Sequence, residues 1–196
     1  MFGLTADAIN LYFTVESEGT IRSFAYNTAD LESTTILITG LRSPRGLCID
    51  TTKNVLYVAE YAGRIQSVAT DGNALTVQLS LGSHVRLEGV AFLNDELFWS
   101  ESSTLMVAKA STFYWKRIPL LGHTTQTRLK WPRQVVVTDS TLYFAEYAGR
   151  ISSSPLPAAS SLTVLHQAVF SSAMNQIDGM ATSAPGQLPS IYLALD

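Results

Sequence analysis

Ten residues of this chain occur almost twice. Leu56-Tyr-Val-Ala-Glu-Tyr-Ala-Gly-Arg-Ile65 returns as Leu142-Tyr-Phe-Ala-Glu-Tyr-Ala-Gly-Arg-Ile151, and the two differ only at Val58 and Phe144. Looser copies begin at Leu11, Leu97 and Ile191, so successive starts lie 45, 41, 45 and 49 residues apart. A chain with such a period folds as stacked copies of one supersecondary unit. Strand-like content at a spacing of about 40 to 50 residues predicts the four-stranded antiparallel blades of an all-β propeller. Architecture is not activity, because function lives in sites carried by folds.

Composition agrees with a compact, soluble all-β chain: 46% of residues are hydrophobic, 15% are charged and mean hydropathy is +0.16. Low charge is expected of strands packed on both faces. The net charge of −3 comes with no Lys/Arg cluster, which argues against nucleic acid as a partner. No stretch of 18 apolar residues is present, so no membrane-spanning helix is expected. The first residues lack a basic leader and read as a strand, which leaves the compartment open. The single cysteine, Cys48, sits in an apolar run and reads as a buried small hydrophobe.

The copies divide the chain into blades at about 1–42, 43–86, 87–131, 132–176 and 177–196, the last incomplete. In the second blade strands are expected at 46–49, 55–59, 64–68 and 74–79, with turn residues at 50–54, 61–63 and 71–73. The third reads as strands at 89–92, 96–100, 105–108 and 115–120, and its 102–104 turn lacks the glycine of its neighbours. The fourth begins at 135–137 and ends near 162–165, after an insertion at 152–161. That makes about four and a half repeats. A propeller protects its sheet edges by closing. The chain is therefore expected to be a fragment of a larger propeller, a four-bladed ring with a partial extra sheet, or a partner in self-association through open blade edges, the fragment being preferred.

The segment from Pro44 to Gly72 resembles one blade of the NHL and low-density-lipoprotein-receptor YWTD repeat families. It carries Pro, then Gly-Leu-apolar-Asp, Leu-Tyr, an acidic residue, Arg-Ile and Asp-Gly in their order. The likeness covers nearly the whole chain and is sharpest in the second blade and the first half of the fourth. It implies the six-bladed, TolB-like propeller group, whose members include receptor modules, scaffolds, hydrolases and lactonases. Two departures stand out. The acidic residue of the first blade is displaced by one position, and the third blade has Thr104-Leu-Met106 where its neighbours have Gly-Arg-Ile.

The clearest functional clue is a set of charges at equivalent positions. The residues entering successive first strands are Arg45, Glu88, Arg133 and Asp178, and their sign alternates. In propellers of this type the loop into the first strand and the loop after the second share a face. Glu16, Glu60, Glu101, Glu146 and Asp196 should therefore stand beside them on one rim. One reading is that these groups pair between neighbouring blades and lock them, a task suited to bidentate arginine–carboxylate contacts. The other is that Glu88 and Asp178, with Glu60 or Glu146, hold a hard cation such as calcium through oxygen ligands, as the lactonase likeness implies. Two arginines among the four inner positions would repel such a cation.

His84, His123 and His166 occupy different places in their repeats, so no zinc site is expected. No Gly-x-Ser-x-Gly elbow and no phosphate-cradling glycine motif is present. Tyr12, Tyr57, Phe98, Tyr143 and Tyr192 recur at one strand position and read as interblade core. Tyr61 and Tyr147, in turns beside Arg64 and Arg150, have the composition of a protein-binding surface or pack on the adjacent turn. Trp131 precedes a rim position and would flank the channel mouth, whereas Trp115 lies on an outer strand. The resulting expectation is a non-catalytic binding or scaffold propeller. Its rim would recognise a protein, peptide or glycan through Arg45, Glu60, Tyr61, Arg64, Glu88, Glu101, Arg133, Glu146, Tyr147, Arg150 and Asp178, with no cofactor. The alternatives are a calcium-dependent hydrolase or lactonase built on Glu88 and Asp178, and a truncated piece with no independent function.

Overall fold

The computed structural model describes residues 2–26, 34–102, 104–112, 114–117, 131–138, 141–147, 150–156, 163–167, 177–182 and 191–195; for 115–117, 163–167, 177–182 and 191–195 the description is of the backbone. The chain divides into two units, Met1–Phe92 and Leu93–Asp196.

In the first unit, β1 (Leu4–Ala6), β2 (Asn10–Val15), β3 (Thr20–Ala25) and β4 (Thr35–Ile38) form one antiparallel meander. β5 (Pro44–Asp50), β6 (Val55–Glu60), β7 (Arg64–Ala69) and β8 (Thr76–Ser80) form the next. β9 (Leu87–Leu93) ends at the division between units and begins the third sheet, which continues through β10 (Glu96–Glu101), β11 (Thr104–Lys109) and β12 (Trp115–Arg117). The second unit also holds the meander of β13 (Pro132–Val137), β14 (Thr141–Glu146), β15 (Arg150–Pro155) and β16 (Thr163–Gln167), and the hairpin of β17 (Ile177–Thr182) and β18 (Ile191–Leu195). The chain is thus all-β, in four-stranded antiparallel propeller blades.

Local chemistry explains these elements. β6 and β10 are buried along nearly their whole length rather than at alternate residues, as strands covered on both faces must be. Asn94 and Asp95 both take positive φ, 49° and 63°, as a two-residue hairpin turn requires. The first strands begin earlier than the sequence suggests. Pro44 pairs with Glu60 and Pro132 with Glu146, each followed by a register shift. Proline is tolerated there because it opens the strand beside a bulge, where no ladder N–H is needed. β8 begins two residues later than expected because Ala74 turns the chain at φ 55°.

Within the first unit the blades meet main chain against main chain. A Cβ added at Gly46 would stand 2.5 Å from the carbonyl oxygen of Glu88 and 2.7 Å from the Val90 nitrogen. One added at Gly3 would collide with the Arg45 carbonyl and lie 2.6 Å from the Leu47 nitrogen. The segment at Gly3 thus rests on β5, and β5 on β9, through a glycine. The buried Thr14 hydroxyl donates to the Arg45 carbonyl at 2.8 Å and accepts from the Gly3 N–H at 2.8 Å, tying β1, β2 and β5 together. Outward from this seam, Tyr12, Ile21 and Leu41 pack with Leu47, Leu56, Val58 and Val68 as one apolar cluster. Tyr57 stacks on Phe92 with ring centroids 5.7 Å apart. Within the second unit, the Ser100 hydroxyl donates to the Arg133 carbonyl at 3.2 Å and so repeats the role of Thr14.

The recurrent ring Tyr12 is sealed in this seam, with its hydroxyl donating to Asp7 at 2.7 Å. The Asp7 carboxylate also accepts the backbone N–H groups of Ile9 and Asn10. Burial, then the neighbouring Asp7 carboxylate, pushes the Tyr12 hydroxyl up to about 12. Cys48 is buried as expected, and burial followed by the Asp50 charge pushes its thiol far up. The other face of the first sheet is covered less. Leu11 and Phe13 are only partly buried and Leu4 and Ile36 are exposed, whereas Leu56 and Val58, their counterparts in the second sheet, are fully buried. Within this unit the second sheet is covered by the first.

Two outcomes are expected. Gly46→Ala forces two backbones apart and costs about 2–4 kcal/mol in urea unfolding, whereas Gly40→Ala, which meets no atom within 4 Å, costs only the smaller strain of its positive φ. A tyrosine whose folded value lies above its unfolded value of 10 stabilises fully below pH 10 and loses that contribution as pH rises to about 12. The stability difference between wild type and Tyr12→Phe should therefore shrink by about 2 kcal/mol across that window in denaturation at fixed ionic strength.

Candidate functional site

In the second and fourth blades the loop into the first strand and the turn after the second stand side by side. In the second blade the Tyr61 N–H donates to the Ser43 carbonyl at 2.9 Å, and in the fourth the Tyr147 N–H donates to the Trp131 carbonyl at 3.0 Å. Ser43 and Trp131 both take left-handed backbone, at φ 51° and 53°. The two rims therefore share one backbone plan and differ in what they display.

In the second blade Arg45 lies at the centre. Its guanidinium reaches Glu16 at 3.0 Å and Glu88 at 2.8 Å, joining the turn after β2 and the strand β9 to β5 through one side chain. It also lies 4.5 Å from the centre of the Phe2 ring and 4.3 Å from that of Tyr61. Burial works against the arginine's charge, but Glu88 and then Glu16 outweigh it, so its affinity for the proton is raised further. Arg86 approaches the Tyr61 ring as well, at 5.2 Å, and its side chain is exposed.

Glu60 stands apart from this group. It is fully buried, and its carboxylate accepts from the Arg64 guanidinium at 2.7 Å, from the Arg42 N–H at 2.5 Å and from the Gln66 amide. Glu146 repeats the arrangement: fully buried, it takes both Nε and a terminal nitrogen of Arg150, at 2.5 and 2.8 Å. These two clasps fasten β6 to β7 and β14 to β15 across the turn. Glu101 occupies the same strand position in the third blade, paired with Thr104 rather than arginine. It is only partly buried, and its Oε2 is sealed from solvent without a hydrogen-bond partner among the described residues.

In the fourth blade Trp131 and Tyr147 form an exposed pair, 60% and 41% accessible, with centroids 5.6 Å apart and planes tilted by 60°. The Arg133 guanidinium lies 5.6 Å from the centre of the Tyr147 ring. Asp178 is the second residue of β17, and its side chain, like Asp196, lies outside the described residues. So do His123 and the His166 side chain, while His84 is exposed. Among the described residues no three of His, Cys, Asp and Glu gather as metal ligands, and no helix is long and apolar enough to cross a membrane.

The structure thus brings Arg45, Tyr61, Glu88 and Glu16 together, and Arg133 with Tyr147. It sets Glu60, Arg64, Glu146 and Arg150 into buried clasps. Trp131 was marked by sequence only as flanking the rim. The signal for more was its alignment with Ser43, directly before the Pro-Arg pair in both copies.

Blades of this kind define a propeller-type protein. Among solved structures the chain is similar to glutaminyl cyclase of Myxococcus xanthus, at 15% identity over 99% of this chain and 84% of that one, with TM-score 0.68. It is also similar to a structural genomics protein of unknown function from Bacteroides thetaiotaomicron VPI-5482, at 16% identity, 84% and 42% coverage and TM-score 0.64. A third likeness is to the computationally designed Ika8 protein, at 13% identity, 92% and 52% coverage and TM-score 0.59. The chain spans less than half the length of the second of these and about half of the third. No family model and no curated protein matches it.

The clasps carry a prediction. Arg64→Ala leaves the buried Glu60 carboxylate short of its cation and should cost about 3 kcal/mol in chemical denaturation. Arg86→Ala removes an exposed side chain whose described contact is one ring, and should stay within about 0.5 kcal/mol of wild type.

Proposed function

We propose that this chain is a binding propeller whose rim recognises a protein, peptide or glycan without performing chemistry on it. The observation that carries the reading is Trp131. Its counterpart Ser43 makes the same backbone hydrogen bond at nearly the same φ, so the fold asks only for a residue that tolerates left-handed backbone. Tryptophan is a poor choice for that conformation and for water. Displayed beside Tyr147 and Arg133, it completes the residue types that dominate the energy of binding surfaces. The turn below is fixed by a backbone hydrogen bond, so little freedom would be lost on binding.

A calcium-dependent hydrolase is supported less well. Glu88, the carboxylate that reading needs, is engaged by Arg45 at 2.8 Å. An ion pair already formed in the free protein favours a rigid rim over an open cation site.

The test is to present immobilised wild-type chain and a Trp131→Ala/Tyr147→Ala double variant to peptide and glycan arrays, with Val77→Ala on an outer strand as control. Ligands retained by the control and weakened about tenfold or more in the double variant are expected. Ligands bound equally by all three chains would move the site away from this rim.

A further inference from the structure

The third blade carries the acidic half of a clasp whose basic half is missing. At the end of β6, Glu60 faces Arg64 across the turn, and at the end of β14, Glu146 is gripped by Arg150. Both carboxylates are fully buried beneath those guanidinium groups. At the end of β10, Glu101 holds the same register, but the residue opposite it is Thr104, whose hydroxyl donates to the Glu101 backbone carbonyl at 3.1 Å and leaves the carboxylate alone. Two consequences are visible. Glu101 is opened partly to solvent, and its Oε2 has no hydrogen-bond partner among the described residues. A carboxylate that has lost water on one oxygen and gained no donor is a site with unmet demand for a cation.

We propose that Glu101 is a socket for an arginine side chain supplied by a protein or peptide partner, which completes in trans the clasp that Arg64 and Arg150 complete within the chain. This deepens the binding-rim reading and rests on it. The chain itself gives the chemistry of the occupant. In the two filled copies the group that satisfies this carboxylate is a guanidinium, taken in a two-nitrogen grip on Glu146. A planar fork with fixed donors fits a carboxylate better than the compact ammonium of lysine, so arginine should be preferred.

The test uses N-acetyl-arginine amide as probe, with N-acetyl-citrulline amide as its uncharged control, followed by amide chemical shifts of the full chain. Saturable shifts centred on Glu101 and Thr104 with the arginine probe are expected, absent with citrulline and lost in Glu101→Gln. Thr104→Arg should fill the socket from within. It should abolish probe binding and raise the melting temperature by about 2–4 °C, what one recovered charged hydrogen bond yields in a chain of this size. No shift in the wild type, or shifts that persist in Glu101→Gln, would overturn the proposal. So would array ligands that depend on Trp131 and Tyr147 but are indifferent to Glu101→Gln and carry no arginine; in that case the rim reading stands and the socket falls. Arginine binding at Glu101 with no ligand dependent on Trp131 would keep the socket and remove the aromatic rim.

Discussion

Everything on the rim depends on how closely the first strands approach one another. Gly3 and Gly46 lie against the backbone of the following blade at distances that leave no room for a methyl group. Their stacking is therefore main chain on main chain, and side chains are excluded from the seam itself. Chemistry can enter only at the residue before each glycine and at the turn after each second strand. Those are the places where Phe2, Arg45 and Glu88, and Tyr61 beside them, come together. The Thr14 and Ser100 hydroxyls reinforce the arrangement by reaching the carbonyls of Arg45 and Arg133. A displacement of the first strands by even one ångström would misplace both the hydroxyl bridges and the arginine pairs.

With the seam fixed, the length of one turn decides what each glutamate does. In the second blade three residues separate Glu60 from Arg64, and the carboxylate points into a buried clasp. In the first blade the paired residues are Val15 and Thr20, with a single turn of 3-10 helix at Glu16–Glu18 between them. The extra residue puts valine where the clasp would be and pushes Glu16 outward, where it meets Arg45. In the third blade the turn shortens and the arginine is gone, so Glu101 keeps its place and loses its partner. One acidic residue in a common motif thus becomes a strut, an interblade tie or an unmet carboxylate. Thr14 and Ser100 stand in the first and third blades where Ala59, Ala145 and Ala194 stand in the second, fourth and fifth.

Much of this was legible in the sequence, for physical reasons. Period and strand content predicted blades, because four short strands separated by turn residues can bury their faces only by stacking. The alternation of Arg45, Glu88, Arg133 and Asp178 pointed to a shared rim, and the adjacency of Ser43 to Tyr61 and of Trp131 to Tyr147 follows from that topology. The direction of side chains at a strand end was harder to read. A glutamate displaced by one residue along the strand points the other way, as Glu16 does toward Arg45, whereas Glu60 and Glu146 looked like neighbours of Glu88 and are sealed beneath Arg64 and Arg150. Arg45 had two readings, and only geometry could say that its carboxylate partners lie at 3.0 and 2.8 Å. Trp131 was undervalued because an isolated tryptophan in a loop gives no periodic signal. Its meaning comes from comparison with a serine in the same conformation.

Under the proposed reading, rigidity and recognition fall to different groups. Ion pairs near a surface contribute little to stability by themselves, but two carboxylates, Glu16 beside the first sheet and Glu88 on β9, held by the one guanidinium of Arg45 fix relative position. Arg45 also lies close to the faces of Phe2 and Tyr61, which limits its freedom further. A charge so engaged is a poor ligand for anything else, so the proposed recognition would fall to the groups the frame leaves unspent. In the fourth blade those are Trp131 and Tyr147, whose large, stiff rings bury much area for few rotatable bonds. In the third it is the carboxylate of Glu101. Aromatic area supplies affinity with little selectivity, whereas a desolvated carboxylate rejects any partner that brings no donor. Under the proposal, such groups on locked turns would need only a small interface, because the binding energy is not consumed in ordering the protein that offers it.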